Sequence, residues 1–443
     1  MNRITRHHRI AALLAALFAL TLLLAACGVD DDDEVVEDPA ADEPDEEPDE
    51  EPEEEPDEEP DEQVTLTFWD NEQAEGELSE NQQVAVDQFE EENPDITVEI
   101  TTVPYDEYQQ RLSLAVEGGD PPDIASIDQI WMAQFADDGA FTSLDDFIAD
   151  SDAVDEANFF PGAWESAIWD DTVFGVPYNV DVWQFTFYNA EMLDEAGVDP
   201  AQLETWEGLA EAGEALTGDG QYGVGLFGFA YESLVTVMNS FVFSNDGDIL
   251  AEDGSCALDE PEAIEALEYM ASLQEYAPSG ILGNQNEDMR ELFLNESLAT
   301  EWWPAFEQAT LADAPFDWGM VAGTAPEGMD PVGTYGGWNL AVFSDAEEPE
   351  AAWRFIEFMT DPEINPLVVD LIPANVEAAE PFLEERGEAE LVFEHLDNAR
   401  PRPLAVNYLE IAEIQMSMMQ AIFDGEGVEE SVQDACEQIE AQS

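Results

Sequence analysis

The stretch Gly175 to Asn189, GVPYNVDVWQFTFYN, limits the possible folds more than any other part of the chain. It opens on Gly and Pro, passes through the polar Asn179 and Asp181, and becomes almost wholly apolar and aromatic. From Trp183 to Tyr188 bulky side chains fall on both faces, the pattern of a strand buried in a parallel or mixed sheet. Open α/β sheets bind ligands beyond the ends of their strands, so the polar residues ahead of this strand become candidate ligand contacts.

The neighbouring segments agree with such a sheet. VTLTFWD from Val64 reads as a strand, followed by a helix with Val84, Ala85 and Phe89 at helical spacing. NPDITVEI is a second strand, Tyr105 to Val116 a second helix, and PPDIASID a loop leading into a buried strand. This β-α-β-α-β order predicts a doubly wound α/β lobe. Further on, PEAAWRFIEFMTD puts Ala352, Phe355, Ile356 and Met359 on one helical face. The closing segment predicts two helices split at Asp424–Gly427.

Ahead of the fold, Arg3, Arg6 and Arg9 precede an apolar run from Ile10 to Leu24 that ends in LAAC at Leu24–Cys27. The run is short for a membrane span and is followed by acids, so it reads as an export signal. LAAC matches a lipobox, which makes Cys27 the lipidated N-terminus of the mature chain. Residues 28–63 then repeat acids around Pro44, Pro48, Pro52, Pro56 and Pro60. Proline in every turn and like charges exclude a helix, and an extended disordered tether is expected, reaching roughly 100 Å at about 3.1 Å per residue.

The charge balance narrows the partners. The chain holds 107 Asp and Glu against nine Lys and Arg, and all nine are arginines. Only 23 of the acids lie between Asp30 and Glu62, so the folded part is itself strongly acidic. Such a surface repels itself unless screened, and the Debye length falls to about 3 Å near 1 M salt. A salty exterior suits it. Nucleic acid and anionic membrane surfaces need basic patches and are excluded as partners. An acidic ligand would find only Arg111, Arg290, Arg354, Arg386, Arg400 and Arg402.

His395 is the one histidine after the signal, so no His/Cys metal constellation exists, and no metal or cofactor is expected. Cys256 and Cys436 are either an intramolecular disulfide or two separately buried thiols. Gly223, Gly225 and Gly228 spell the dinucleotide fingerprint, but a TGDGQ turn precedes them and aromatics follow, so a glycine-rich strand is the better reading. No HExxH, GxSxG or Walker sequence occurs. With so many acids, some pair always falls at hydrolase spacing, and that spacing carries no signal. The aromatics are more informative, because many sit beside Gly, Pro or acids. A sugar needs a flat ring under its C–H face and amide or carboxylate acceptors around its rim.

Several segments together carry a resemblance: FWD, FEEENPDITVEI, PPDIASID before DGAFTSLDDFI, GVPY…YN, a TW-E helix, WW, GG, AAWRF and a final FDGEGVEESV helix. In this order the chain resembles the extracellular solute-binding proteins of bacterial ABC transporters, in the sugar-binding, maltose-binding-protein-like branch. The resemblance implies a two-lobed, type II periplasmic-binding-protein-like α/β fold with a hinge and an interlobe cleft. It implies an N-terminal lobe of residues 64–180 and 316–360 and a C-terminal lobe of 181–315 and 361–443. Its pocket positions fall on Asn71, Glu72, Ser126, Asp128, Tyr178, Asp181, Trp183, Tyr231, Trp302, Trp303, Gly336, Gly337, Trp338 and Tyr408, while Trp69 packs in the core. The function implied is capture of a neutral carbohydrate by a lipid-anchored, exported monomer that delivers it to permease subunits without chemistry. Two rivals stand beside it: a binding protein for a cationic solute such as a polyamine or betaine, and a secreted glycan hydrolase.

Overall fold

The computed structural model describes residues 63–442 apart from 72–76, 252, 313 and 387–388. The export signal, Cys27, the acidic tract and Glu72 lie outside the described residues. Among the described residues, nine strands of four or more residues form the body of two sheets. In chain order they are β1 (Val64–Asn71), β2 (Ile96–Val103), β3 (Ile124–Asp128), β4 (Val176–Trp183), β5 (Phe185–Asn189), β6 (Tyr222–Gly225), β7 (Leu298–Trp303), β8 (Trp318–Val321) and β9 (Thr334–Val342).

The first sheet runs β4-β9-β3-β1-β2, with Ile372–Pro373 extending it beside β4 and Arg400–Pro401 pairing with β9. β1 is parallel to β2 and β3, whereas β9 is antiparallel to both β3 and β4. β3 and β9 are buried along their whole length, so both faces carry apolar residues without alternation. The helix Pro349–Met359 lays the predicted Ala352, Phe355, Ile356 and Met359 against this sheet. Phe355 meets Phe68 of β1 and Phe89 of the helix Glu77–Glu92 edge-on, with centroids 5.5 and 5.2 Å apart. The second sheet has the order β8-β5-β7-β6, mixed in direction, with only β6 and β7 parallel.

The Trp183–Tyr188 segment, read above as one strand, is two. Gln184 takes φ +80°, an uncommon value for a side-chain-bearing residue, and turns β4 of the first sheet into β5 of the second within one residue. Sheet membership therefore changes at Gln184 rather than after residue 180. The expected return at 316 also shifts, because Trp318–Val321 still pairs with β5 and the chain re-enters the first sheet only at Thr334. Residues after 360 are split as well: Ile372–Pro373 belongs to the first sheet, and the last two helices pack on the second lobe. The larger apolar cluster is continuous through these crossings, from Leu66 and Phe68 to Phe187, Met238 and Trp302.

His395 sits at the crossing, its ring tilted against Phe185 with centroids 4.7 Å apart and donating from Nε2 to the Trp183 carbonyl at 3.3 Å. Burial pushes its pKa down to about 4, so it packs as a neutral ring. The fingerprint glycines serve packing. A Cβ on Gly225 would lie 1.5 Å from Oε2 of Glu301 on the neighbouring β7, so only glycine allows that approach. The closing helices Tyr408–Asp424 and Val428–Glu440 split where expected, with Gly425 at φ +101° ending the first. Cys256 and Cys436 form a disulfide that ties the last helix to the 250s loop. Among the described residues no helix is long and apolar enough to cross a membrane.

Candidate functional site

A cavity of about 270 Å³ lies between the first sheet and the helices and loops that face it. The first sheet contributes Asp128 from the end of β3, Asp181 and Trp183 from β4, and Gly336, Gly337 and Trp338 from β9. Tyr105 and Leu371 complete that wall. Tyr231, Glu232 and Thr236 face it from the start of the helix Glu232–Phe243, together with Asn286, Glu287, Arg290 and Phe306. Arg402, from the chain returning after Arg400–Pro401, closes one end.

Arg402 joins the two walls. Its Nη2 donates to Asp128 at 3.2 Å and its Nη1 to Glu232 at 3.0 Å, and its side chain is only 8% exposed. Tyr105 donates to the other oxygen of Asp128 at 3.2 Å, and the Tyr408 hydroxyl donates to Glu232. Burial raises the pKa of both acids, and the guanidinium between them pulls each back down. For Arg402 burial works against the charge, but Asp128, Tyr408 and Glu232 outweigh it and hold the proton more firmly than usual. A second arginine, Arg290, makes a forked pair with Glu307 at 2.5 and 2.7 Å.

Asp181 is different. It is 3% exposed, it lines the cavity, and no side chain donates to either carboxylate oxygen. Burial drives its pKa well above the usual carboxylate range, eased by the nearby Val182 and Ala305 N–H groups and reinforced by Asp370 and Glu307. An unfolded aspartate ionises near pH 4 while the folded one resists, so this group adds no penalty below that pH. The penalty grows as pH rises towards the folded value and is complete above it. Asp181→Asn is therefore expected to raise the melting temperature of the ligand-free protein at neutral pH and to flatten its pH dependence. Equal melting temperatures for the two proteins at pH 7 and pH 4 would contradict this.

The expected site residues divide. Asp128, Asp181, Trp183, Tyr231 and Gly336 to Trp338 come together on the cavity wall. Trp338 packs its ring on Tyr105, Tyr108 and Trp131. Gly337 is glycine because of its neighbour strand, since at φ +134° a Cβ would meet the Asn179 carbonyl at 2.3 Å. Gly336 instead faces Arg402 and Trp183 with room to spare.

Trp302 and Trp303, expected as stacking platforms, are interior residues. β7 is buried on both faces, so Trp302 packs edge-on to Phe241 at 5.1 Å and Trp303 packs against Phe293 at 5.0 Å. Trp303 still serves the cleft indirectly, donating from Nε1 to Asn286 at 2.6 Å. Tyr408 acts likewise, holding Glu232 from a fully buried position. Tyr178 donates to the Val368 carbonyl at 3.3 Å and Ser126 to Asp70 at 2.7 Å, both inside the first lobe. Asn71 is buried at the end of β1 and stands apart from the cavity lining.

Tyr105, Glu232, Asn286, Glu287, Arg290, Phe306 and Arg402 were not singled out from sequence. Arginine scarcity was the available signal: in so acidic a chain, Arg290, Arg400 and Arg402 each find a carboxylate. Phe306 and Tyr231 remain 41% and 48% exposed, so their rings are open to a ligand. Among the described residues no group of three or more His, Cys, Asp or Glu is arranged to hold a metal ion.

The family model described as bacterial extracellular solute-binding protein matches residues 75–366. A binding protein of Brucella abortus is 26% identical over 356 residues, covering 78% of this chain and 85% of its own. The arabinooligosaccharide-binding protein of Halalkalibacterium halodurans is 28% identical over 198 residues, 43% of this chain and 42% of that one. Among solved structures, maltose-bound MalE3 of T. maritima superposes with a TM-score of 0.72 at 25% identity, covering 86% of this chain and all of that one. The substrate-binding protein Lmo0181 of Listeria monocytogenes, in complex with cycloalternan, gives a TM-score of 0.73 at 23% identity, covering 86% and 99%.

Proposed function

Since the chain belongs to the bacterial extracellular solute-binding protein family, we propose that it captures a carbohydrate outside the cell and delivers it to the permease of an ABC importer. The observation that carries this reading is the cavity between the first sheet and the elements facing it, where open aromatic rings stand beside polar side chains from both walls. Trp183, Tyr231 and Phe306 offer apolar faces to a sugar ring. Asp128, Asp181, Glu232 and Asn286 offer acceptors to its hydroxyls. Arabinooligosaccharide, maltose and cycloalternan in the names of similar proteins support the same ligand class.

Capture works by population shift. Contacts made from both walls at once exist only when the walls are close, so ligand favours the closed arrangement by the free energy of those contacts. The closed form is the one the permease reads, and the sugar leaves unaltered. Lipidation at Cys27 tethers the protein to the outer face of the membrane, and the acidic tract sets its reach. Export as a monomer into a saline medium completes the reading.

Calorimetric titration and thermal shift in molar salt, across mono- and oligosaccharides, test it. One sugar class is expected to bind saturably and be recovered intact, adding about 2.7 kcal/mol of stability at a hundredfold excess over Kd. Hydrolysis products, or saturation by non-sugars alone, would reject the carrier reading.

A further inference from the structure

We propose that the captured carbohydrate carries a protonated amino group, seated on Asp181 beside the Trp183 ring. This rests on the carbohydrate reading and narrows its ligand class. The cleft's own charges lead to it. Both arginines lining the cavity are engaged, Arg402 by Asp128 and Glu232 and Arg290 by Glu307. Among the described residues two buried carboxylates have no side-chain partner on either oxygen, Glu301 and Asp181. Glu301 is pressed against Gly225 of the neighbouring β6 and is absent from the cavity lining. Asp181 is on that lining, so whatever fills the cavity meets its oxygens.

A buried carboxylate without a counter-charge is unfavourable, and the group that removes the penalty most fully is a cation with several donors. A hydroxyl supplies one hydrogen bond and no charge. An ammonium supplies three donors and a charge, and charge-assisted hydrogen bonds are roughly twice as strong as neutral ones. Trp183 lies two residues along the same strand and therefore on the same face as Asp181. Its half-buried indole lines the same cavity and offers the π face that attracts a cation. Glu287, exposed at the rim, adds negative potential at the entrance. The sugar ring then lies towards the open rings of Tyr231 and Phe306.

The test is calorimetric titration of the intact protein at mildly acidic pH, where a sugar amine is protonated. The probes are D-glucosamine with its dimer and trimer, the N-acetylated forms, the plain glucose forms, and choline and spermidine. The amino sugars are expected to bind at least about tenfold tighter than both neutral series, the value of one charge-assisted contact. Asp181→Asn is expected to abolish that preference, so that amino and neutral sugars bind the variant with equal affinity. Neutral sugars binding as tightly as amino sugars to the wild type would overturn the amine and leave the carbohydrate reading standing. An unchanged preference in Asp181→Asn would remove Asp181 from the role. Binding of choline or spermidine without any sugar, or of no probe at all, would overturn both readings. The wild-type comparison decides the question even if the variant is unstable.

Discussion

Arg402→Met is expected to cost about 3–5 kcal/mol of stability, the usual result of stripping one partner from a buried ion network. Methionine keeps the apolar stem but leaves buried Asp128 and half-buried Glu232 facing each other, both already raised in pKa by desolvation. Lysine is expected to rescue little, since a single ammonium cannot reproduce a fork that reaches Asp128 with one nitrogen and Glu232 with another. Neutralising the acids tests the cause: adding Asp128→Asn and Glu232→Gln to Arg402→Met should recover most of the loss. The triad also ties Asp128 at the end of β3 to Glu232 at the start of the facing helix across the cavity, so the single variant should populate a more open form, visible as a larger radius of gyration in X-ray scattering. Urea denaturation in molar salt reads the stability. A loss below about 1 kcal/mol, typical of exposed pairs, would mean that water already screens the triad.

How far the sequence displayed this site depends on which physical signal each residue leaves. Burial periodicity leaves a strong one. The helix at 349–359, the strands at β1 and β3 and the split between the closing helices follow from apolar spacing and from Gly425, and the fold adopts them. Strand breaks made by ordinary residues leave almost none. Gln184 has neither the freedom of glycine nor the lock of proline, and tertiary packing alone imposes its left-handed turn. The two-sheet division was therefore legible only in outline, with its crossing points displaced by four residues, from 180 to Gln184, and by 18, from 316 to Thr334.

The aromatic residues divide for a similar reason. An aromatic beside polar neighbours looks ligand-facing, and Trp183 and Tyr231 do line the cavity. Trp302 and Trp303 follow Glu301 and looked equally exposed, but Glu301 is itself buried, so the polar neighbour marked no surface. Arg402 and Glu232 stand 170 residues apart, and only the fold brings them to one guanidinium. No local pattern in a chain with this many acids distinguishes the two carboxylates an arginine will choose.

Removing the Cys256–Cys436 bridge with a Cys256→Ala, Cys436→Ala pair is expected to cost about 2–5 kcal/mol and leave ligand affinity within a factor of about two. The cysteines are 180 residues apart, and for a loop of that length the chain-entropy model approaches about 5 kcal/mol. Alanine suits both sites, since Cys436 packs in the apolar core and a serine hydroxyl there would add a second penalty. Alkylation and intact-mass measurement without reductant first establish that neither thiol is free. The stability loss should appear early at the last helix, which reaches the second lobe through Tyr408–Asp424, Pro261–Ser272 and the bridge. Limited proteolysis should cut the variant first near 425–428. Affinity should hold because neither cysteine lines the cavity, and the groups that do are fixed by separate contacts such as Trp303 to Asn286 and Tyr408 to Glu232. If affinity instead fell in step with stability, the final helix would be setting the position of Tyr408, and through it the carboxylate that shares Arg402.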